Sequence, residues 1–311
     1  MTVPAMALVG AAPGGGFRTR PAAGCRAGII YADCSRQVIC TMSNPAIIIH
    51  GGAGAREGIH ADFSRYADSL RRILGPAWET LIERGAREAV MNAVRELEDD
   101  PVFNAGIGSR LQRDGAARMS AALMDGERGR FSGVINIERV RHPIDVAAIL
   151  RERDHRVLAG DHATRFARSE GFEDFDPVTE HRLEEHRRNH EGKSGTVGAV
   201  ALDGQGNLWA ATSTGGVGYE IPGRVSDSAT VAGNYAARSG GVSCTGMGED
   251  IVDHGAAVRI ATGSADGSTL AAANEKTMSE ADDRRFEYGL IALSRAGVPQ
   301  SGSTADVTTL W

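Results

Sequence analysis

Within two residues of Gly195 the chain changes character. From His181 to Lys193 nearly every residue is charged or polar. Such a stretch has little to bury and reads as a mobile linker or a frayed helix. From Thr196 to Leu202 the sequence is apolar and β-prone, a turn follows at Asp203-Gly204-Gln205-Gly206-Asn207, and a second apolar run extends from Leu208 to Thr212. Together they predict a hairpin. A polar tail that meets a buried strand at Gly195-Thr196 is a place where a chain can be cut without harm to its core. The junction divides the sequence into a segment 44–195, whose end from about 151 is the mobile linker, and a segment 196–311.

Upstream, Ala46-Ile47-Ile48-Ile49-His50 runs into Gly51-Gly52-Ala53-Gly54. This predicts a buried strand that delivers the chain into a glycine turn, with His50 structural. Apolar residues from Tyr66 to Leu97 recur at helical spacing, punctuated by Gly75-Pro76 and Gly85, so two or three amphipathic helices are expected. Asp99-Asp100-Pro101 ends them. Residues 117–124 and 131–140 are expected to pair as strands around Asp114-Gly115 and Asp125-Gly126 turns, and Pro143 to Leu150 to form a helix. Residues 1–43 could not bury a core and read as a disordered leader or an upstream start.

The bulk composition narrows the class. Hydrophobic residues make up 41% and charged residues 24%, as in ordinary globular proteins. A formal charge of −6 argues against nucleic acid or an anionic membrane as partner. No run approaches the ~20 apolar residues that span a bilayer. Cys25, Cys34, Cys40 and Cys244 have no zinc spacing, and a disulfide framework is implausible at this length, which points to a reducing, cytoplasmic setting.

Thr196 carries the chemical question. A threonine hydroxyl is a poor nucleophile until a base takes its proton. A free α-amino group on the same residue, with a pKa of about 7.7–8.0, serves that purpose close to working pH. Creating it requires cleavage of the Gly195–Thr196 bond, and a glycine there permits a strained backbone and close attack by the hydroxyl. On spacing alone, a β-branched residue opening a strand is commonplace, and both readings stand.

Resemblance separates them. The segment Gly195 to Asp203 resembles the autocleavage site of the plant-type asparaginase/isoaspartyl peptidase family, threonine-type N-terminal nucleophile hydrolases. Ile49-His50-Gly51-Gly52-Ala53-Gly54 resembles that family's opening strand and turn. The segments Leu97 to Pro101 and Phe103 to Gly108 resemble its metal loop and active-site segment. Thr212 to Gly216, Pro222 to Ser228 and Cys244 to Glu249 are similar to its three downstream signatures, in order.

The resemblance implies an α/β fold, a four-layer αββα sandwich, with 44–311 as one folded unit and cleaved units paired as (αβ)2. It implies that Thr196 attacks a side-chain amide or isopeptide carbonyl while Thr214 and Asn104 orient it. Thr245 and the backbone N–H of Gly246 would form the oxyanion hole. Arg224 would grip the substrate α-carboxylate, and Asp227, assisted by the Gly248 carbonyl, its α-ammonium. No organic cofactor is implied. A structural sodium ion would rest on the main-chain carbonyls of Leu97, Glu98, Asp100, Phe103, Ala105 and Ile107. The expected substrates are β-aspartyl dipeptides and L-asparagine, with a glycosylasparaginase as the alternative and a non-catalytic scaffold as the rival from another class. Three departures bear on substrate choice: Ser120 where many members carry aspartate, Met247 between Gly246 and Gly248, and the segment Gly218 to Ile221.

Overall fold

The helical stripe predicted from Tyr66 onward continues straight through Gly75-Pro76. Helix α1 (Phe63–Arg84) holds Pro76 in its interior, and the break comes only at Gly85, before α2 (Ala86–Asp99). Gly75 and Pro76 lie on the exposed side of α1, where water replaces the hydrogen bond that proline removes, while Leu70, Ile73, Leu74, Ala77 and Leu81 keep an unbroken buried face. The computed structural model describes residues 44–55, 63–188, 195–263, 267–305 and 307–311; the leader expected over 1–43 lies outside them.

Before α1 run β1 (Ala46–His50) and β2 (Gly52–Ala55). After α2 come β3 (Met119–Asp125), β4 (Arg130–Ile137), α3 (Pro143–Leu150), β5 (Val157–Ala159), α4 (Gly160–Ser169) and α5 (Glu180–Arg187). Downstream of Gly195 lie β6 (Val197–Leu202), β7 (Leu208–Thr214), β8 (Asn234–Ala237), β9 (Gly240–Gly246), α6 (Gly248–His254), α7 (Ala256–Gly263), α8 (Leu270–Asp283), β10 (Tyr288–Ser294), β11 (Pro299–Ser303) and β12 (Val307–Leu310). The predicted hairpin is β6–β7, the predicted strand pair is β3–β4, and α3 begins at Pro143 as its sequence requires.

A six-stranded sheet has the order β1-β6-β7-β3-β4-β5, antiparallel except for β4 with β5; a four-stranded antiparallel sheet has the order β11-β10-β9-β8. A short ribbon joins β12 to β2. Alternation along each strand sorts the core into three regions. Ile47, Ile49, Val197, Ala199 and Ala211 pack with α1, α2 and α3 residues such as Leu81, Val90 and Ile144. Ile48, Val200, Leu202 and Ala210 turn the other way, against Ile291, Leu293 and Ala236 of the smaller sheet. Val242, Cys244, Leu290 and Ala292 cover the far side of that sheet with Ile251, Ile260 and Leu270 from α6, α7 and the start of α8. Each fully buried leucine or isoleucine contributes about 1.5–3 kcal/mol, so burial dominates the fold energetics. The molecule is a mixed α/β protein with two sheets and flanking helices.

The stretch from about 151 to 195, expected as a mobile linker, carries β5, α4 and α5. Ala163 and Ala167 of α4 enter the helix-side core, and Arg182 of α5 is buried. The polar composition misled because arginine satisfies itself on backbone carbonyls there, without an apolar face. No helix among the described residues is long and apolar enough to cross a membrane.

Candidate active site

Thr196 stands immediately before β6. Since Val200 and Leu202 face the smaller sheet, the period of two turns Thr196 the same way. Its hydroxyl donates to Thr214 Oγ1 at 3.2 Å and lies 3.5 Å from Ser228 Oγ. Thr214 Oγ1 also accepts the Gly216 N–H at 3.2 Å. The nucleophile candidate is buried, and its proton is directed at an oxygen that already accepts from a second donor. Ser228 lies in the 3-10 turn Asp227–Ala229, inside the motif quoted above, though sequence reasoning assigned it no role.

Gly195 is pressed against the segment that carries Asn104. A Cβ built on Gly195, whose φ is 155°, would come within 2.7 Å of Asn104 Cβ. Asn104 is held at both ends of its amide: Nδ2 donates to Gly216 O at 2.6 Å, and Oδ1 accepts from Arg110 N at 2.9 Å. Its carbonyl accepts from Gly215 N at 2.9 Å. Beneath Thr214, Ser213 points to the helix side and donates to Glu98 Oε1 at 2.6 Å. Burial pushes the Glu98 carboxyl up to about 7, against the pull of His142 and Ser213. Sequence reasoning assigned Glu98 only a carbonyl role.

His50 ends β1 opposite Gly198. Its Nε2 lies 2.8 Å from Ser243 Oγ, and Ser243 Oγ lies 2.7 Å from Thr212 Oγ1. Burial drives the imidazole down to about 3, against the Thr196 backbone, so the ring is neutral at ordinary pH and too weak a base to serve Thr196. The same contact brings Thr212 of β7 against Ser243 of β9. Two residues further along each strand, on the same faces, stand Thr214 and Thr245. Thr245 is fully buried and its Oγ1 has no hydrogen-bond partner among the described residues.

Arg224, Asp227 and Gly248 form one cluster. A Cβ on Gly248 would lie 2.7 Å from Arg224 Nη2 and 3.0 Å from Asp227 Oδ1, so only glycine admits both charged groups. Burial raises the Asp227 carboxyl to about 7, opposed by the Ser226 hydroxyl and the Arg224 charge. Its Oδ1 accepts from Ser226 Oγ at 3.2 Å, while Oδ2 has no partner among the described residues. Arg224 presents Nε and Nη2 to Glu249, whose carboxyl is held below its usual range by that guanidinium. Behind Arg224, its carbonyl accepts from Asn136 Nδ2 at 2.9 Å, and Asn136 N donates to Ser120 Oγ at 3.1 Å. Ser120, the first departure, thus connects to Arg224 through Asn136. A cavity of about 660 Å³ opens beside Arg224, and Met247, Ile221 and Gly218, the other departures, line it with Glu220 and Glu249.

The loop after α2 offers carbonyls. Pro101 has no N–H for the Leu97 carbonyl four residues back, and Ile107 N folds the loop onto Glu98 O at 2.7 Å. Among the described residues no three His, Cys, Asp or Glu side chains gather as a metal cluster. The main-chain carbonyls of Leu97, Glu98, Asp100, Phe103, Ala105 and Ile107 are neutral oxygens, a donor type that suits a hard cation of low charge.

Comparison with known proteins identifies the family. A family model described as asparaginase matches residues 43–309. The chain is 41% identical over 283 residues to the isoaspartyl peptidase/L-asparaginase of Synechocystis sp., covering 85% of this chain and 86% of that protein. It is 38% identical over 285 residues to the isoaspartyl peptidase of Escherichia coli, covering 82% and 88%. With the plant-type L-asparaginase of Thermococcus kodakarensis it shares 40% identity over 229 residues, 66% of this chain and 74% of the other. With its Gly195-Thr196 junction, its Arg224–Asp227 cluster and its match across nearly the whole described chain, the protein belongs to the asparaginase family of isoaspartyl peptidases and plant-type L-asparaginases.

Proposed function

We propose that the protein is a self-cleaving amidohydrolase that uses Thr196 to hydrolyse β-aspartyl dipeptides and L-asparagine. The observation that carries the reading is the corner in which Thr196, with its hydroxyl on Thr214, follows a Gly195 pressed against Asn104. In maturation the Thr196 hydroxyl attacks the Gly195 carbonyl, the peptide bond shifts to an ester, and water hydrolyses that ester. Gly195 becomes a new carboxyl terminus and Thr196 a new amine.

The amine then acts as base. Substrate enters with its α-carboxylate on Arg224 and its α-ammonium on Asp227. As the amine takes the hydroxyl proton, Oγ1 bonds to the side-chain carbonyl carbon, and the oxyanion is met by Thr245 and the Gly246 N–H. The tetrahedral species breaks the C–N bond, the leaving amine takes the proton, and water later cleaves the acyl ester to release aspartate. Orphaned Thr245 Oγ1 and Asp227 Oδ2 are the groups a substrate would satisfy.

The three core regions support the αββα sandwich of N-terminal nucleophile hydrolases as the architecture. The Leu97–Ile107 carbonyls would hold a sodium ion, which orders the loop and supplies no step of the chemistry. A cytoplasmic setting is supported by Cys244, buried and free. Assembly as (αβ)2 completes the reading. Intact mass after incubation at neutral pH tests it: two fragments, the smaller beginning at Thr196, are expected, and T196A should stay whole and inactive on β-aspartyl dipeptides. A folded chain that stays uncut for days, or undiminished turnover by T196A, would overturn it.

A further inference from the structure

Helix α5 precedes the proposed scissile bond in sequence, separated from Gly195 by Arg188 and residues 189–194. Its sequence, Glu-His-Arg-Leu-Glu-Glu-His-Arg, has nothing to recommend it as a core element, yet Arg182 is almost fully buried. The guanidinium is spent on the loop that carries Asn104. Nε donates to Gly108 O at 2.6 Å, Nη2 to Phe103 O at 3.5 Å, and Nη1 to Glu185 Oε2 at 2.6 Å. Just upstream of α5, Pro177 O accepts from Gly108 N at 3.3 Å. The loop is therefore gripped on either side of Asn104.

A second guanidinium completes the grip. Arg110 sends its backbone N–H to Asn104 Oδ1 and its Nη1 to Val217 O at 3.0 Å, while Nε sits 3.9 Å from Glu185 Oε2. The half-buried Arg110 and the buried Arg182 repel side by side, and burial together with that repulsion holds the Arg110 guanidinium below its ordinary value. Glu185 lies against both and makes the arrangement tenable. Removing it, or Arg182, leaves a buried charge short of a partner and loosens the loop from which Asn104 reaches Gly216 O.

We infer that α5 is a working part of the mature catalytic site, and that Arg182 is the positioning residue through which this upstream segment holds Asn104 on Gly216 O, beside the Gly195–Thr196 junction. This rests on the reading of Thr196 as nucleophile. Cleavage at Gly195 frees the end of the α chain, but the Arg182 contacts lie wholly within residues 103–185 and survive it. The segment that precedes the cut then has a second task once the cut is made.

The test uses the full chain, with R182M, R182K and E185Q matured beside wild type and uncut T196A as the control. R182M should lower kcat on a β-aspartyl dipeptide about tenfold with KM changed less than twofold, because the substrate anchors Arg224 and Asp227 are untouched. R182K, which keeps a donor and the charge, should recover part of that loss. Hydrogen exchange in a peptide spanning 103–110 should quicken in R182M while the β1 peptide stays protected. E185Q should follow the same pattern more weakly and decides the matter if R182M does not fold. Wild-type kcat in a folded R182M or E185Q, or a loss confined to KM, overturns the inference. Turnover by T196A would instead overturn the nucleophile assignment on which it stands.

Discussion

Glu249 occupies one edge of the Arg224 guanidinium as a bidentate fork, with Oε1 2.6 Å from Nε and Oε2 2.7 Å from Nη2. That is the edge a substrate carboxylate would take as a bidentate fork. On the proposed reading, a substrate that takes this edge displaces a carboxylate that belongs to the protein. The Glu249 side chain is more than half exposed, so the pair is worth about 1 kcal/mol or less. E249A should lower KM for L-asparagine about two- to fivefold and leave kcat within twofold. Steady-state kinetics checks it; a raised KM would mean that Glu249 orients the fork instead of blocking it.

On the proposed reading, Asp227 sets an acid limb. Its carboxyl, raised by burial to about 7, must be ionised to bind an ammonium. The Thr196 amine must be neutral to act as base. Both push kcat/KM upward with pH through the neutral range. D227N should raise KM about tenfold or more and make the limb shallower. Stability runs the other way: a carboxyl with a raised folded-state pKa stabilises below its ordinary range near 3.8 and loses that contribution as pH rises through about 7. D227N should therefore melt several degrees above wild type at pH 8, with the advantage shrinking toward pH 5.

Gly195→Ala addresses maturation alone. The added methyl would meet Asn104 Cβ at 2.7 Å, so either the scissile bond or Asn104 must move. Cleavage, followed by gel electrophoresis over time, should slow about tenfold or more, which is 1.4 kcal/mol or more in the barrier. Cleavage at the wild-type rate would show that the close approach has no part in the reaction.

Ser120→Ala tests the departure from aspartate. The Asn136 N–H, in a backbone with φ of 51°, would lose its acceptor, a cost of about 1–3 kcal/mol for a buried donor. A lower Tm and a KM raised a few-fold through Arg224 are expected. Unchanged KM would confine Ser120 to the strand.

Where the sequence was informative, local chemistry was responsible. The β6–β7 hairpin follows from two apolar runs around a glycine turn, and α3 from Pro143 at its first turn. Of the two or three helices expected, two form, because proline's penalty depends on whether the freed carbonyl meets water, and α1 exposes the side that carries Gly75-Pro76. The motifs named Thr214, Arg224 and Asp227, but not what surrounds them. Ser228 beside Thr196, Glu98 under Ser213 and Glu249 on Arg224 are contacts between distant segments, and no local pattern encodes them. Arg182 is the sharpest case: a charge run looks solvated until the carbonyls that receive it are known.

The place of β6 has one last consequence. Its neighbours are β1 on one side and β7 on the other, and β7 leads on to β3. A cut before Thr196 thus leaves the new fragments interleaved in a single sheet, β1 and β3 from one and β6 and β7 from the other. The immature chain unfolds and refolds as one molecule, at a rate indifferent to dilution. Once nicked, the same protein can recover its structure only when two separate polypeptides meet, so its recovery becomes second order in concentration. Maturation at Gly195–Thr196 would therefore turn a fold that one chain can regain alone into one that, after melting in dilute solution, is effectively lost.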